Sequence, residues 1–207
     1  MKPDKSNAKI SRRTALLSGG AAVSSFMLFP RYVFGGAQHT APSDKLNIAI
    51  IGTGGRGTQN MKELIRQKDC HVMAVCDVME EADYSRFYYG GVAGRGPAKA
   101  IVDVRYSSEE STKDYPECKE YINFVEMLDK EKGIDAVVVA TPDHNHAITS
   151  IEAMKRGKHV YCEKPLARTV YETRKITETA REMGVATQLG NQGHSGEGIR
   201  STVEWIR

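Results

Sequence analysis

The sequence predicts an α/β chain organised around a Rossmann-like, doubly wound parallel sheet. Two observations carry this. Short apolar runs alternate with amphipathic segments, and the first run passes directly into "GTGGRG". Apolar strands alternating with helices give a parallel sheet covered on both faces, and right-handed crossovers make it doubly wound.

In chain order the runs are Leu46–Ile51, His71–Cys76, Asp135–Ala140, Lys158–Cys162 and Ala186–Gly190. They are expected to be strands, mostly buried on both faces, with a weaker one near Glu120–Asn123. Helical segments are expected over Gly57–Arg66, Phe124–Lys132, His146–Arg156 and Tyr171–Met183. The stretch from Asp83 to Cys118 breaks the rhythm. It is rich in Gly and Tyr, has no clear period and is longer than a usual connection, so it reads as a functional or partly disordered loop. Its "GGVAGRG" is set aside as a phosphate loop because no strand leads in and Pro97 follows. Near the end, Ile199, Val203 and Ile206 recur at helical spacing and form an apolar face that needs a partner.

The chain has 207 residues, 40% hydrophobic and 27% charged, an ordinary globular composition. Of its formal charge of +3, residues 1–37 contribute six cations (Lys2, Lys5, Lys9, Arg12, Arg13 and Arg31) against Asp4 alone, leaving −2 for the rest. A near-neutral body gives no electrostatic case for nucleic acid or an anionic membrane. Residues 1–37 read as targeting: a basic start, then the moderately apolar "TALLSGGAAVSSFMLFP". Ser11-Arg12-Arg13 followed by Ala15-Leu16 resembles a twin-arginine export signal, with Ala15 where that pattern prefers Phe, and cleavage is expected after Ala37. The apolar run is shorter than the ~20 residues that span a bilayer, so no stable membrane anchor is expected. The protein is therefore expected in the periplasm or otherwise exported, with the export machinery as a partner. Residues 38–45 form a linker, and 46–194 the dinucleotide-binding domain.

Gly52, Gly54 and Gly57 form G-x-G-x-x-G between the first strand and the first helix. The first glycine allows a tight turn, the second lets backbone approach a diphosphate, and the third lets helix and strand pack closely. Asp77 ends the second strand, where its carboxylate can accept both hydroxyls of an adenosine ribose. That carboxylate repels a 2′-phosphate and Val78 and Met79 bring no cation, so NAD is favoured over NADP. Thr53, Gly55 and Arg56 complete the turn, and Arg56 lies within reach of a phosphate.

Ligands of this fold lie outside the carboxyl ends of the strands. There the third long strand delivers Thr141-Pro142-Asp143-His144-Asn145-His146, the next Glu163-Lys164-Pro165, and the last Asn191-Gln192-Gly193-His194. With "VVVATPDHNHA", "VYCEKPLA" and "GNQGH" in this order after the glycine turn, the chain resembles the glucose–fructose oxidoreductase/inositol dehydrogenase (Gfo/Idh/MocA) family from Leu46 to Arg207. The resemblance implies hydride transfer between a nicotinamide and a hydroxyl of a sugar or cyclitol. It assigns the chemistry to Lys164, which touches the substrate hydroxyl and the nicotinamide ribose and takes or relays the hydroxyl proton, and to His194, which with the cofactor-binding Gln192 lies on the loop lining the cleft. Thr141, Pro142 and His146 belong near the nicotinamide and its ribose, and Glu163 orients the lysine loop or the cofactor. The Lys164–Pro165 bond is expected to be cis-compatible.

The resemblance also implies a C-terminal α/β substrate domain, through which the chain would form homo-oligomers. That domain is absent from this sequence; residues 195–207 read as the start of the connection to it, so little turnover is expected of these residues alone. Two other functions stay open: an NAD-dependent glycosidase using transient oxidation, and a non-catalytic dinucleotide-binding module. No metal site is expected from His144, His146 and His194, since helix positions two apart face different ways. The four cysteines form no CxxC pair and read as packing residues. Cys76 and Cys162 lie about 14 Å apart across the sheet, too far to bridge. A Cys70–Cys118 disulfide stays geometrically open.

Overall fold

The computed structural model describes residues 44–86, 91–109, 112 and 115–207. The expected export signal and most of the linker lie outside them. Among the described residues no helix is long and apolar enough to cross a membrane. The strands are β1 (Leu46–Ile51), β2 (Cys70–Cys76), β3 (Ala82–Asp83), β4 (Val92–Ala93), β5 (Lys119–Tyr121), β6 (Ala136–Val139), β7 (His159–Glu163) and β8 (Thr187–Gly190). The helices are α1 (Gly55–Leu64), α2 (Arg95–Ser107), α3 (Phe124–Lys130), α4 (Asp143–Lys155), α5 (Val170–Met183) and α6 (Glu197–Ile206), with a 3-10 turn at Gln192–Ser195.

Six strands form one sheet in the order β5-β2-β1-β6-β7-β8, and every pairing is parallel. The chain winds outward from β1 through β2 to β5, then returns to the other side of β1 for β6, β7 and β8. The segments following β1 and β6 therefore diverge, which opens a crevice at the carboxyl ends of the central strands.

Alternation along β1 explains why helices cover both faces. Ile48 and Ile50 point into a core with Met61 of α1 and Ala98, Val102 and Tyr106 of α2. Ala49 and Ile51 point the other way, among Met127, Leu128, Ala153, Met154 and Ile176 of α3, α4 and α5. Ile50 and Val72 are wholly buried, each contributing roughly 2 kcal/mol relative to exposure. Local signals set the helix ends. Asn123 accepts from the amides of Val125 and Glu126 to start α3, and Thr169 with Glu172 forms a capping box on α5. Gly184 ends α5 in the left-handed region at φ 62°.

Two expectations need correction, and one open question is closed. The stretch from Asp83 to Cys118 is not aperiodic: it holds the β3–β4 hairpin and the 13-residue α2. Pro97 falls in the first turn of α2, where a missing N–H is harmless, so it does not break the helix. The two-residue β4 lies within "GGVAGRG" and does not lead into it. Burial on both faces fails at β8, where only Gly190 is buried, because β8 is an edge strand. Finally, the cysteines are free. Lys119 pairs with Ala74, so Cys118 sits level with Met73, about 10 Å along the sheet from Cys70 and beyond disulfide reach. As expected from their apolar settings, Cys76, Cys118 and Cys162 are buried. The apolar side of α6 is exposed, with Trp205 85% and Ile206 80% accessible.

Candidate functional site

Register brings the polar segments level. Cys76 pairs with Ile51, Ile51 with Val139, Val139 with Cys162 and Cys162 with Leu189. The next residues along each strand are Asp77, Gly52, Ala140, Glu163 and Gly190, so one sheet edge carries Asp77, the glycine turn, Thr141–Pro142, Glu163–Lys164 and the Gln192–His194 turn.

The three motif glycines answer different demands. Gly52 has φ +90°, and a β-carbon there would lie 2.6 Å from the backbone of Ala140 and Thr141. At Gly57 a β-carbon would lie 1.8 Å from the Gly52 carbonyl oxygen. Both positions are closed by the protein itself. Gly54 is not: a β-carbon there would meet only the Tyr84 ring, at an ordinary 3.6–3.9 Å, and its φ of −65° suits any residue. The polypeptide itself therefore does not require glycine at position 54. Gly54 also caps α1, whose start has no side-chain cap and no acidic residue in the first turn, unlike α3 and α5. The amides of that turn suit an anion.

Asp77 closes the turn from the side. Its Oδ2 accepts from the Thr53 amide at 2.7 Å and the Thr53 hydroxyl at 3.3 Å, and its Oδ1 accepts from the Met79 amide at 2.9 Å. Thr53 is fully buried, and its carbonyl accepts from the Thr58 hydroxyl and the Gly94 amide. Thr53 thus holds the turn in shape from within. Arg56 spans one helical turn to Gln59 Oε1 at 3.0 Å.

At the other end, the His146 ring is 1% exposed. Its Nδ1 lies 2.6 Å from the Pro165 carbonyl oxygen and its Nε2 2.8 Å from that of Thr141. The ring therefore pins the loop after β6 to the loop after β7 and faces inward, while Pro142, Asp143 and His144 are exposed. The Lys164–Pro165 bond is cis. Glu163 is 4% exposed; its Oε1 accepts from Asn60 Nδ2 of α1 at 2.8 Å and from the Gln192 amide. Gln192 also donates to the Tyr161 hydroxyl at 2.7 Å. A β-carbon on Gly190 would lie 2.8 Å from both Glu163 and Tyr161, so glycine there lets β8 close over this network. Burial, and next the Glu163 charge, push the Tyr161 phenol up. Beneath the row, Cys76 is pushed up to about 12 by burial and then by Asp77. Burial pushes Cys162 to about 11; neither thiol is a nucleophile. Lys164 and His194 are exposed on the open side of the edge. Among the described residues no group of His, Cys, Asp and Glu is placed to hold a metal.

Residues 46–191 match the family described as an oxidoreductase family with an NAD-binding Rossmann fold, Gfo/Idh/MocA. The chain belongs to the Gfo/Idh/MocA family. Among its relatives, an inositol 2-dehydrogenase of Rubrobacter xylanophilus is 30% identical over 143 residues, 69% of this chain and 33% of the relative. A glycosyl hydrolase family 109 protein of Stenotrophomonas maltophilia is 29% identical over 178 residues, 86% of this chain and 35% of the relative. The crystal structure of myo-inositol 2-dehydrogenase from Lactobacillus plantarum superposes with a TM-score of 0.60 at 23% identity, over 78% of this chain and 41% of that one. That of scyllo-inositol dehydrogenase from Lactobacillus casei, with NAD(H) and scyllo-inositol, gives 0.58 at 17% identity, over 78% and 41%. The chain spans about a third of the length of the curated relatives it matches.

The Gfo/Idh/MocA domain is an NAD-binding one, and its geometry fits the dinucleotide: the first turn of α1 starts at Gly54 with no side-chain cap and no acidic residue, with Asp77 alongside. Three residues of this edge went unseen in the sequence. Asn60 looked like one polar position among several on α1. Arg95 lay in the segment read as a loop; its guanidinium reaches the Val78 carbonyl at 3.2 Å and Glu80 at 3.2 Å. Tyr84 came from the same segment. The only signal for α2 was Ala98, Val102 and Tyr106 at four-residue spacing.

Proposed function

We propose that this chain is the dinucleotide-binding part of an NAD-dependent oxidoreductase acting on a hydroxyl of a sugar or cyclitol. The observation that carries the reading is the position of Lys164, which leaves β7 one residue past Glu163 on the strand beside β6 and its Thr141–Pro142 loop. The inositol dehydrogenases among the relatives and the neighbour holding scyllo-inositol support the substrate class.

When bound, NAD would supply the acceptor for the hydride that leaves the substrate carbon. The backbone at Gly54 and Gly55 and the Arg56 side chain serve the diphosphate, and Asp77 the adenosine ribose. As the substrate C–O bond becomes a carbonyl, the Lys164 amine takes the hydroxyl proton, and it returns that proton in the reverse direction. His194 serves the substrate side from the following turn. Glu163 is a positioning residue: its amide donors fix the loop that carries Lys164. His146 fixes the same loop from the opposite side, through the Pro165 carbonyl.

The test is NADH formation by the full-length protein with a panel of inositols and aldoses. Lys164→Met is expected to abolish turnover while NAD affinity stays within about threefold. Undiminished turnover in that variant overturns the assignment, and loss of nothing but NAD affinity favours a non-catalytic binding module.

A glycosidase that oxidises its substrate transiently is the second reading, favoured by the family 109 relative that covers 86% of this chain. Release of aglycone from a nitrophenyl glycoside without net NADH identifies it. We also infer export by the twin-arginine route, which carries folded proteins and therefore a seated cofactor. Arg12→Lys with Arg13→Lys is expected to hold the protein in the cytoplasm on cell fractionation; unchanged export removes the inference.

A further inference from the structure

We propose that Tyr84 is a cofactor-binding residue, its phenol donating to the diphosphate of the dinucleotide and its ring closing that end of the cleft. The proposal rests on NAD occupying the glycine turn. Three observations carry it.

The first is position. The Tyr84 Oη lies 3.6 Å, and Cζ 3.7 Å, from where a β-carbon on Gly54 would be. Gly54 caps α1, so this is the space into which that turn presents its amides and a diphosphate would settle. The hydroxyl thus stands beside the capping glycine, at the edge of the space where the diphosphate would settle.

The second is anchoring. The Tyr84 amide donates to the Gly91 carbonyl at 2.7 Å at the end of the β3–β4 hairpin, where Ala82 pairs with Ala93 and Asp83 with Val92. The hairpin is bonded directly to the turn, through the Gly94 amide and the Thr53 carbonyl at 3.2 Å. Gly94 itself has φ +134°, and a β-carbon there would lie 2.5 Å from the Glu80 carbonyl oxygen. The close fit between hairpin and turn therefore depends on a glycine. Tyr84 is held over the turn by the same bonds that hold the hairpin.

The third is chemistry. Burial, and then the nearby Asp77 charge, push the Tyr84 phenol up. It stays protonated and acts as a donor, and a neutral hydroxyl pointed at a diphosphate makes a charge-assisted bond. Placement beside both Gly54 and Asp77 puts that bond at the junction of diphosphate and adenosine ribose, away from the nicotinamide.

The test measures NAD and ADP binding by the full chain, with adenosine as a competitor that lacks the diphosphate. Tyr84→Phe is expected to weaken NAD and ADP about tenfold, the effect of losing one hydrogen bond to a charged group, and to leave adenosine unchanged. Tyr84→Ala, with thermal unfolding as the control for folding, is expected to weaken them at least as much and to speed NAD release. Wild-type affinity for ADP in Tyr84→Phe overturns the proposal, and so does an equal loss for ADP and adenosine. A wild-type chain that binds neither NAD nor ADP removes the dinucleotide site itself, a separate failure.

Discussion

The Asn60 side-chain amide donates to the Glu163 carboxylate at 2.8 Å, joining residues 103 positions apart in sequence. The contact ties α1, which starts at the glycine turn, to the end of β7, from which Lys164 emerges. This hydrogen bond to a nearly buried charge adds to the sheet pairing that fixes the cofactor end and the chemical end of the cleft relative to each other.

Asn60→Asp replaces that donor with a second carboxylate. It is expected to destabilise the domain by about 2 kcal/mol, a fall of roughly 5 °C in the unfolding midpoint. Adding Glu163→Gln to Asn60→Asp should restore most of the loss, because a protein amide again faces a carboxylate. Additive losses in the double variant would show that the two residues do not interact.

The motif glycines separate folding from binding. Gly57→Ala and Gly52→Ala meet backbone and should cost at least about 3 kcal/mol each. Gly54→Ala should fold with stability within about 1 kcal/mol of the parent yet bind NAD at least about tenfold more weakly. Denaturation and NAD titration of the three variants decide this, and normal NAD affinity in Gly54→Ala would contradict it.

Asp77→Ala removes both the ribose acceptor and the clamp on the Thr53 amide. Affinity for NAD should fall by about tenfold or more, whereas NADP, freed from repulsion, should lose less. The measured ratio of the two dissociation constants should shift toward NADP; an unchanged ratio would place the carboxylate away from the ribose.

His71, at the opposite end of β2, gives an acid-sensitive stability. Burial, then the Lys45 charge, lower its pKa from 6.5 to about 4. Its neighbours are the rings of Tyr106 and Tyr115, and Asn47 Oδ1 lies 3.0 Å from Nδ1. Between those values the unfolded chain binds the proton and the folded chain does not. Its contribution is therefore complete above pH 6.5 and lost as the pH falls toward about 4. Chemical denaturation across this range should show a shallower decline in His71→Phe than in the parent, and identical slopes would refute it.

What was legible in the sequence followed from periodicity and from strand ends. The boundaries of β1 match residue for residue, and β2, β6, β7 and β8 fall within a residue or two, because buried parallel strands are continuous apolar runs. The residues clustered at one edge were legible for the same reason: each follows a recognisable strand. Most of what was missed lay between β2 and β5. There the strands of the hairpin are two residues long, and α2 opens with Arg95-Gly96-Pro97, a start with no side-chain cap. Asn60 and Tyr84 were missed because their partners, Glu163 and Gly54, are met only through tertiary packing. The partners of His146 were hidden for that reason too: nothing local announces that both ring nitrogens meet carbonyl oxygens.

Gly190 shapes the order in which the domain can be completed. Ribosomes release the chain from its amino end, so the glycine turn and Asp77 exist well before the strand that carries Gly190. Until β8 settles beside β7, the space over Tyr161 and Glu163 is open to water and the Gln192 amide has nothing to hold. A nascent chain halted before that point carries the parts that grip a nucleotide but not those that steady its lysine. The chemical end of the cleft is the last part of this domain to be made.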